Sequence, residues 1–394
     1  MVSPVLPTYA RAPLAFIKGE GSWLINEDGQ RFLDFGAGIA VNVLGHAHPR
    51  LVAALKAQAT ELWHTSNLYR IPAQEELADL LVQMTFADTV FFTNSGTEAT
   101  EAAVKMARRH WHSKGCPQRN EILTLKNSFH GRTISMISAA GSEKLTEGFG
   151  PLTPGFRQLE PDAIDEIEAA VSENTAAIMV EPVLGEGGIV PLADGFLKEL
   201  RELCDRTGLL LIFDEIQCGM GRTGKLFAHE WAGITPDVMA IAKGIGGGFP
   251  LGACLATEQA AAGMTAGTHG STFGGNPLGC TVGLEVLKIV SDESFLERVR
   301  SCSGRLRQKL ESIAGSYPAV FSEVRGSGLM LGLVCRMNNQ EVIEAGYRER
   351  ILMIPAGGNV ARILPPLNVA DAELDEACAR IDRLAAKLAE DLDA

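Results

Sequence analysis

Nothing in this chain has the spacing of a metal site or a disulfide framework. Its eight cysteines (116, 204, 218, 254, 280, 302, 335 and 378) are scattered, with no CxxC pair and no histidines at ligand spacing, and read as reduced, mostly buried thiols. The turn Gly45-His46-Ala47-His48-Pro49 offers two histidines without a third ligand, so no metal is expected. Positive charge is short as well. Thirty-five Lys and Arg against 48 Asp and Glu leave a net charge of -13, a field that repels nucleic acid and anionic membrane alike. No run of about eighteen apolar residues occurs, which excludes a membrane-spanning helix. The opening MVSPVLPTYARAPLAF is broken by prolines before the apolar segment of a secretory signal can form, so a cytoplasmic protein is expected. Repeats, low-complexity tracts and long linkers are also missing. What remains is an ordinary globular chain of 394 residues, 46% hydrophobic, long enough for two packed domains.

Three zones differ in pattern. Trp23 to Asp34 (WLINEDGQRFLD) is two short apolar runs around a Glu27-Asp28-Gly29-Gln30 turn, the mark of a β-hairpin in an N-terminal segment, 1–49. From 50 to 276, strand-like runs (TVFFT, EILTL, AAIMVE, LLLIFDE, DVMAIA) alternate with helical stretches such as Glu98 to His110 and Gly195 to Arg206. That alternation predicts an α/β domain with a mostly parallel sheet covered by helices. From 277 to 394 come two long helical segments, then VRGSGLMLGLV, ILMIP and ARILPPL as short strands, and a closing helix from Ala370 to about Leu392, which together predict a smaller α+β domain. A cleft between the two domains is the expected site.

The run LLLIFDEIQ, from Leu209 to Gln217, reads as a strand buried on both faces whose C-terminal end, with the carboxylates Asp214 and Glu215, opens where ligands of α/β sheets bind. Lys243 follows in the Gly-rich loop AIAKGIGGG, placed where an amine can form a Schiff base. An acid to hold a pyridinium and an amine to hold an aldehyde are what pyridoxal phosphate asks of a protein. In TNSGTEATEAAVKMARRH a strand ends and a helix begins. Ser95, Gly96 and Thr97 can cradle a phosphate there, at the positive end of the helix dipole, or Thr97 and Glu98 can simply cap and charge the first turn. Two other glycine-rich stretches fail their tests. Gly219 to Lys225 has the skeleton of a P-loop but is followed by Leu226 where Ser or Thr is needed, and Gly244 to Gly248 runs into Phe249-Pro250 where a dinucleotide site needs a helix.

The segments NSGTEA, FHGRT, EPVLGEGG, FDEIQCGMGRTG, AKGIGGGFPLGA and HGSTFGGNPLGC, in this order, resemble the class III (ω-amino) aminotransferases of the fold type I pyridoxal phosphate family, over nearly the whole chain. Within that family WHTSNLY, from Trp63 to Tyr69, the compact length and GMGRTG are most similar to members that take N-acetylornithine as donor in arginine biosynthesis. The resemblance implies pyridoxal 5′-phosphate as cofactor, Lys243 as the Schiff-base lysine and proton carrier, and Asp214 as the acid beside the pyridine nitrogen. It also implies Gln217 at the ring's O3′, and Ile216 and Phe129 on the two ring faces; from residue type alone the last two are equally well read as core packing. Gly96 and Thr97 would hold the phosphate together with Thr272, which in this family arrives from a second subunit, so that a homodimer shares its active sites; Ser271 would lie beside it, near the substrate.

For the substrates, the resemblance implies that Arg132 grips a carboxylate, which the planar guanidinium fork suits, although a surface arginine reads the same way. Arg362 would be a second carboxylate binder, masked by Glu186 when an ω-amine donor enters and freed for glutamate or 2-oxoglutarate, and Tyr9 would add a contact to the donor. The implied reaction moves the side-chain amino group of N2-acetyl-L-ornithine to 2-oxoglutarate. Ornithine, succinylornithine, succinyldiaminopimelate and 4-aminobutyrate remain as alternative donors. A glutamate-1-semialdehyde aminomutase shares the fold and the lysine, while a cofactor-binding regulator would have no use for the Glu186 and Arg362 pair.

Overall fold

The computed structural model describes residues 4–393. At the N-terminus β1 (Phe16–Glu20), β2 (Trp23–Asn26) and β3 (Arg31–Asp34) form an antiparallel meander, of which β2 and β3 are the hairpin legible in the sequence. The central unit carries β4 (Thr89–Thr93), β5 (Glu121–Leu125), β6 (Phe156–Leu159) and β7 (Thr175–Val180), a small ribbon of β8 (Val183–Leu184) and β9 (Val190–Pro191), and then β10 (Leu210–Asp214), β11 (Val238–Ile241) and β12 (Gly252–Ala256). The C-terminal part adds the hairpin β13 (Phe321–Ser327) and β14 (Met330–Cys335), then β15 (Ile351–Leu352), β16 (Ile354–Ala356) and β17 (Val360–Ile363), before the closing helix Asp371–Asp393.

Seven strands make the central sheet in the order β4-β12-β11-β10-β7-β5-β6. All pairs are parallel except those made by β12, which runs against both β4 and β11. Alternation along the strands divides their side chains between two cores. Leu211 and Phe213 of β10, with Ile178 and Val180 of β7, pack toward the helix Asp194–Thr207. Leu210 and Ile212, with Ala177 and Met179, pack toward the helix Gly96–Ser113. Burying each large apolar side chain of this kind stabilises by about 1.5–3 kcal/mol, enough to hold the strands in a single register. The same period of two puts Asp214 on the face of Leu210 and Ile212, beside the helix that starts at Gly96. Glu215 turns to the other face, where it accepts hydrogen bonds from Ala228 N (2.6 Å), His229 N (2.8 Å) and His229 Nδ1 (2.8 Å). Of the two carboxylates that end the run, one faces the site and the other secures a turn.

The N-terminal segment is tied to the C-terminal part. β3 pairs in parallel with β15, and Trp23 Nε1 and Ser22 Oγ donate to Glu373 of the closing helix at 2.7 and 3.0 Å. Between β3 and the His46 turn, Ala37, Gly38, Ile39 and Ala40 all have positive φ (44°, 58°, 62° and 60°), a left-handed turn that ordinary residues adopt at a cost of roughly 1–2 kcal/mol each. Asp34 holds it by accepting from Gly36 N and Ala37 N at 3.0 and 2.9 Å, and His46 Nε2 lies 2.8 Å from its other oxygen. The turn delivers Val41 to the cavity described next.

Candidate active site

The sheet's topology gathers the chemistry at one edge. Helix Gly96–Ser113 starts just after β4, the loop of Phe129 follows β5, Glu181 follows β7, Asp214 ends β10 and Lys243 follows β11, all at the C-terminal ends of parallel strands. They surround a cavity of about 420 Å³ whose walls include Ser95, Gly96, Thr97, Phe129, Arg132, Asp214, Ile216, Gln217 and Lys243. Nine of the residues singled out in the sequence are thus brought together.

Lys243 opens a short 3-10 turn with φ of 44°, the left-handed region, which a residue other than glycine occupies only where its surroundings impose it. Burial lowers its pKa, helped by the charge of Arg362 and opposed by Glu186, Glu181 and Asp214. Asp214 accepts from Ile216 N at 3.1 Å and pairs with His130 Nδ1 at 2.8 Å. Burial pulls the His130 imidazole down, but the Asp214 hydrogen bond and the charges of Asp214 and Glu181 outweigh it and raise its pKa. Glu181 is buried beside them; burial, then the charge of Asp214, push its pKa up to about 7.

At the helix N-terminus the cap is made by Ser95 and Glu98, not by Thr97. Ser95 Oγ accepts from Glu98 N at 3.4 Å and Glu98 accepts from Asn94 N at 2.6 Å, an ordinary cap. Thr97 Oγ1 instead is buried with no hydrogen-bond partner among the described residues, and so is His130 Nε2. At Gly96 a Cβ would come within 2.9 Å of Ile216 Cδ1, so the backbone itself borders the cavity. A buried hydroxyl seeking a partner at a positive helix end, an acid held on one face, an amine with a lowered pKa and the apolar walls Ile216 and Phe129 together fit pyridoxal phosphate.

Outside this chamber lies a second of about 440 Å³ that shares Phe129 and Arg132 with it and is also lined by Glu186. Arg132 is exposed, stacks over Phe129 at 5.5 Å and forms no ion pair among the described residues. Arg362, 1% exposed, donates to Glu186 Oε1 at 2.5 Å and to Gln217 Oε1 at 2.9 Å, which links the second carboxylate candidate to the cofactor chamber.

Three residues fall elsewhere. Tyr9 is exposed at the surface and does not line the cavity, because residues 4–15 make no strand or helix that would carry it there. Ser271 and Thr272 lie on a loop that walls a different cavity with His269 and Gly270; neither lines the Gly96 and Thr97 cavity, although Ser271 Oγ accepts from Asn94 Nδ2 of its wall at 3.4 Å. Ser271 Oγ also accepts from Gly274 N at 2.9 Å.

Two residues in the site escaped the reading of the sequence, His130 and Glu181. His130 sits inside the quoted FHGRT segment but was given no role. Glu181 ends the run AAIMVE as Asp214 ends LLLIFD, and that shared pattern of an apolar strand closed by a carboxylate was the available signal.

Comparison with known proteins gives the family of the chain. Residues 7–384 match the family model described as Aminotransferase class-III. A relative from Rhodobacter capsulatus, named acetylornithine aminotransferase, is 61% identical over 98% of this chain and 99% of its own. Among solved structures, ornithine aminotransferase from Toxoplasma gondii superposes with a TM-score of 0.95 at 33% identity, covering 98% of this chain and 94% of that one. N-acetylornithine aminotransferase from Stenotrophomonas maltophilia has a TM-score of 0.85 at 38% identity, with 96% and 97% covered.

Proposed function

Because the chain belongs to the class III aminotransferases, we propose that it transfers the side-chain amino group of N2-acetyl-L-ornithine to 2-oxoglutarate, giving N-acetyl-L-glutamate 5-semialdehyde and L-glutamate in L-arginine biosynthesis. Its cofactor is pyridoxal 5′-phosphate, which supplies a carbonyl for the amine and a ring that takes up electrons when a proton leaves the substrate carbon. Lys243 Nζ would hold the cofactor between turnovers and carry that proton. Asp214, steadied by His130, would keep the ring nitrogen protonated, Gln217 would serve its hydroxyl, and Ile216 and Phe129 would form apolar walls around it. Ser95, Gly96 and Thr97 would receive the phosphate.

The observation that carries the reading is the contrast between two arginines. Arg132 is open and forms no ion pair among the described residues, whereas Arg362 is buried and already bound to Glu186. A donor with one carboxylate uses Arg132 and leaves the pair closed; an acceptor with two displaces Glu186 from Arg362 and occupies both. The acetyl group keeps the α-amine from reacting and the product from cyclising. The strong identity to a relative bearing this activity in its name supports the choice of donor over ornithine.

Thr272 and Ser271 complete the site of a second copy in this proposal, which makes the enzyme a homodimer. Its support is that neither residue lines its own chain's active-site cavity, and that their loop lies beside exposed Leu68 and Phe273, apolar surface of the kind that subunits cover. No helix among the described residues is long and apolar enough to cross a membrane, and a cytoplasmic enzyme is proposed. The division into 1–49, 50–276 and 277–394 belongs to the same proposal, with helix Pro277–Val290 as the joint, since it packs on the helices Pro49–Ala59 and Pro72–Met84.

Specificity constants with 2-oxoglutarate as acceptor test the reading. N-acetylornithine is expected to exceed ornithine, 4-aminobutyrate and N-succinylornithine by roughly 100-fold or more, in the upper part of what a single apolar contact discriminates. A preference for another donor overturns the substrate assignment. Turnover without 2-oxoglutarate favours an aminomutase.

A further inference from the structure

Glu181 is 4% exposed in the cavity wall, and both of its carboxylate oxygens are engaged by backbone donors. Phe129 N donates to Oε1 at 2.8 Å and Gly185 N donates to Oε2 at 3.2 Å. These donors belong to the two loops that carry the carboxylate-binding groups. Phe129 lies just ahead of Arg132, with Gly131 between them pressed against Thr97, and Gly185 directly precedes Glu186, the partner of Arg362. One buried side chain therefore joins both walls of the substrate chamber. An ionised carboxylate accepts at both oxygens; an amide sets its NH2 against one of the two N–H groups, and a neutral acid accepts only weakly at its hydroxyl oxygen.

The geometry points to Glu181 as a positioning residue that fixes the distance between Arg132 and the Glu186–Arg362 pair, and thereby selects substrates whose two carboxylates match that distance. The inference deepens the proposed function and rests on its assignment of Arg132 and Arg362 to carboxylates. The titratable groups facing Glu181 are Asp214 at the end of β10, His130 after β5, Cys218 in the turn beyond Asp214 and Lys243 after β11. Burial and the charge of Asp214 push the Glu181 pKa up to about 7, so its staple is complete above that pH and weakens below it.

The test uses the holoenzyme and the competitive inhibition of 2-oxoglutarate by malonate, succinate, glutarate and adipate. The native enzyme is expected to bind glutarate, which has the chain of 2-oxoglutarate, roughly tenfold more tightly than its neighbours. In Glu181→Gln that optimum flattens to within about twofold, while the cofactor stays bound. Glu181→Asp, which keeps both acceptors at a shorter reach, flattens or displaces it. The native enzyme supplies an arm that needs no variant: its length preference is lost as pH falls through about 7 and is insensitive to pH in Glu181→Gln. A merely structural role lowers kcat and leaves the inhibitor ratios alone. An unchanged ratio in Glu181→Gln, or a native ratio that ignores pH, overturns the inference. A native enzyme that turns over no 2-oxoglutarate overturns the reading beneath it, and the inference with it.

Discussion

Arg362 and Glu186 stand 176 residues apart in the chain and 2.5 Å apart in space, the first side chain 1% exposed and the second 37%. A guanidinium so enclosed needs an anion, and the more exposed partner is the one free to swing away. Glu186→Gln should therefore tighten the acceptor and hinder the donor. The KM for 2-oxoglutarate is expected to fall and kcat/KM for the N-acetylornithine half-reaction to drop, shifting their ratio by roughly 10-fold, the lower end of a charged hydrogen bond. Stopped-flow traces of the two half-reactions check this, and an unchanged ratio contradicts a gating role.

Arg132 makes no ion pair among the described residues and stacks its guanidinium on Phe129. Losing it removes a carboxylate contact while leaving no buried charge behind. Arg132→Ala is expected to lower kcat/KM by roughly 10- to 150-fold with the fold intact, and Arg132→Lys to recover only part, since an ammonium lacks the bidentate fork. Steady-state kinetics beside a melting curve separates the two effects.

Gly131 has φ of 137°, and a Cβ there would come within 2.2 Å of Thr97 Oγ1. Gly131→Ala should displace the hydroxyl expected at the phosphate and strain the backbone by about 1–3 kcal/mol. The expected outcome is a lower Tm together with weaker retention of pyridoxal phosphate on dialysis; a variant that keeps its cofactor contradicts the place given to Thr97.

Lys243 has its pKa lowered from 10.5, by burial first and the charge of Arg362 second. The nucleophile is the unprotonated amine, so the rate at which apoenzyme takes up pyridoxal phosphate should rise with pH and level off below the ordinary lysine range. Arg362→Ala removes one lowering cause and should move the plateau to higher pH. A rate still climbing near 10.5 in the native protein contradicts this environment for the lysine.

What could be read in the sequence followed from local pattern. LLLIFD and AIAKG announce a strand end and a loop because unbroken apolar runs and glycines have few other uses, and the central sheet follows from such runs alternating with helices. The groups around Asp214 were hidden because they are joined only by folding: His130 and Asp214 are 84 residues apart, and Phe129 and Glu181 are 52. Ala37, Ile39 and Ala40 carry no sign of a left-handed turn, since nothing in their chemistry favours positive φ; Asp34 imposes it from outside the segment. Thr272 shows a third limit, because the role proposed for it, in the site of a second copy, leaves no trace within one chain.

The account stands on Lys243 as the point of covalent attachment. Borohydride reduction of the holoenzyme, digestion and mass mapping of the pyridoxyl group tests that directly. The account predicts the group on the peptide containing Lys243, with none found in Lys243→Ala. Attachment to another lysine, or a Lys243→Ala protein that still traps the cofactor, contradicts it.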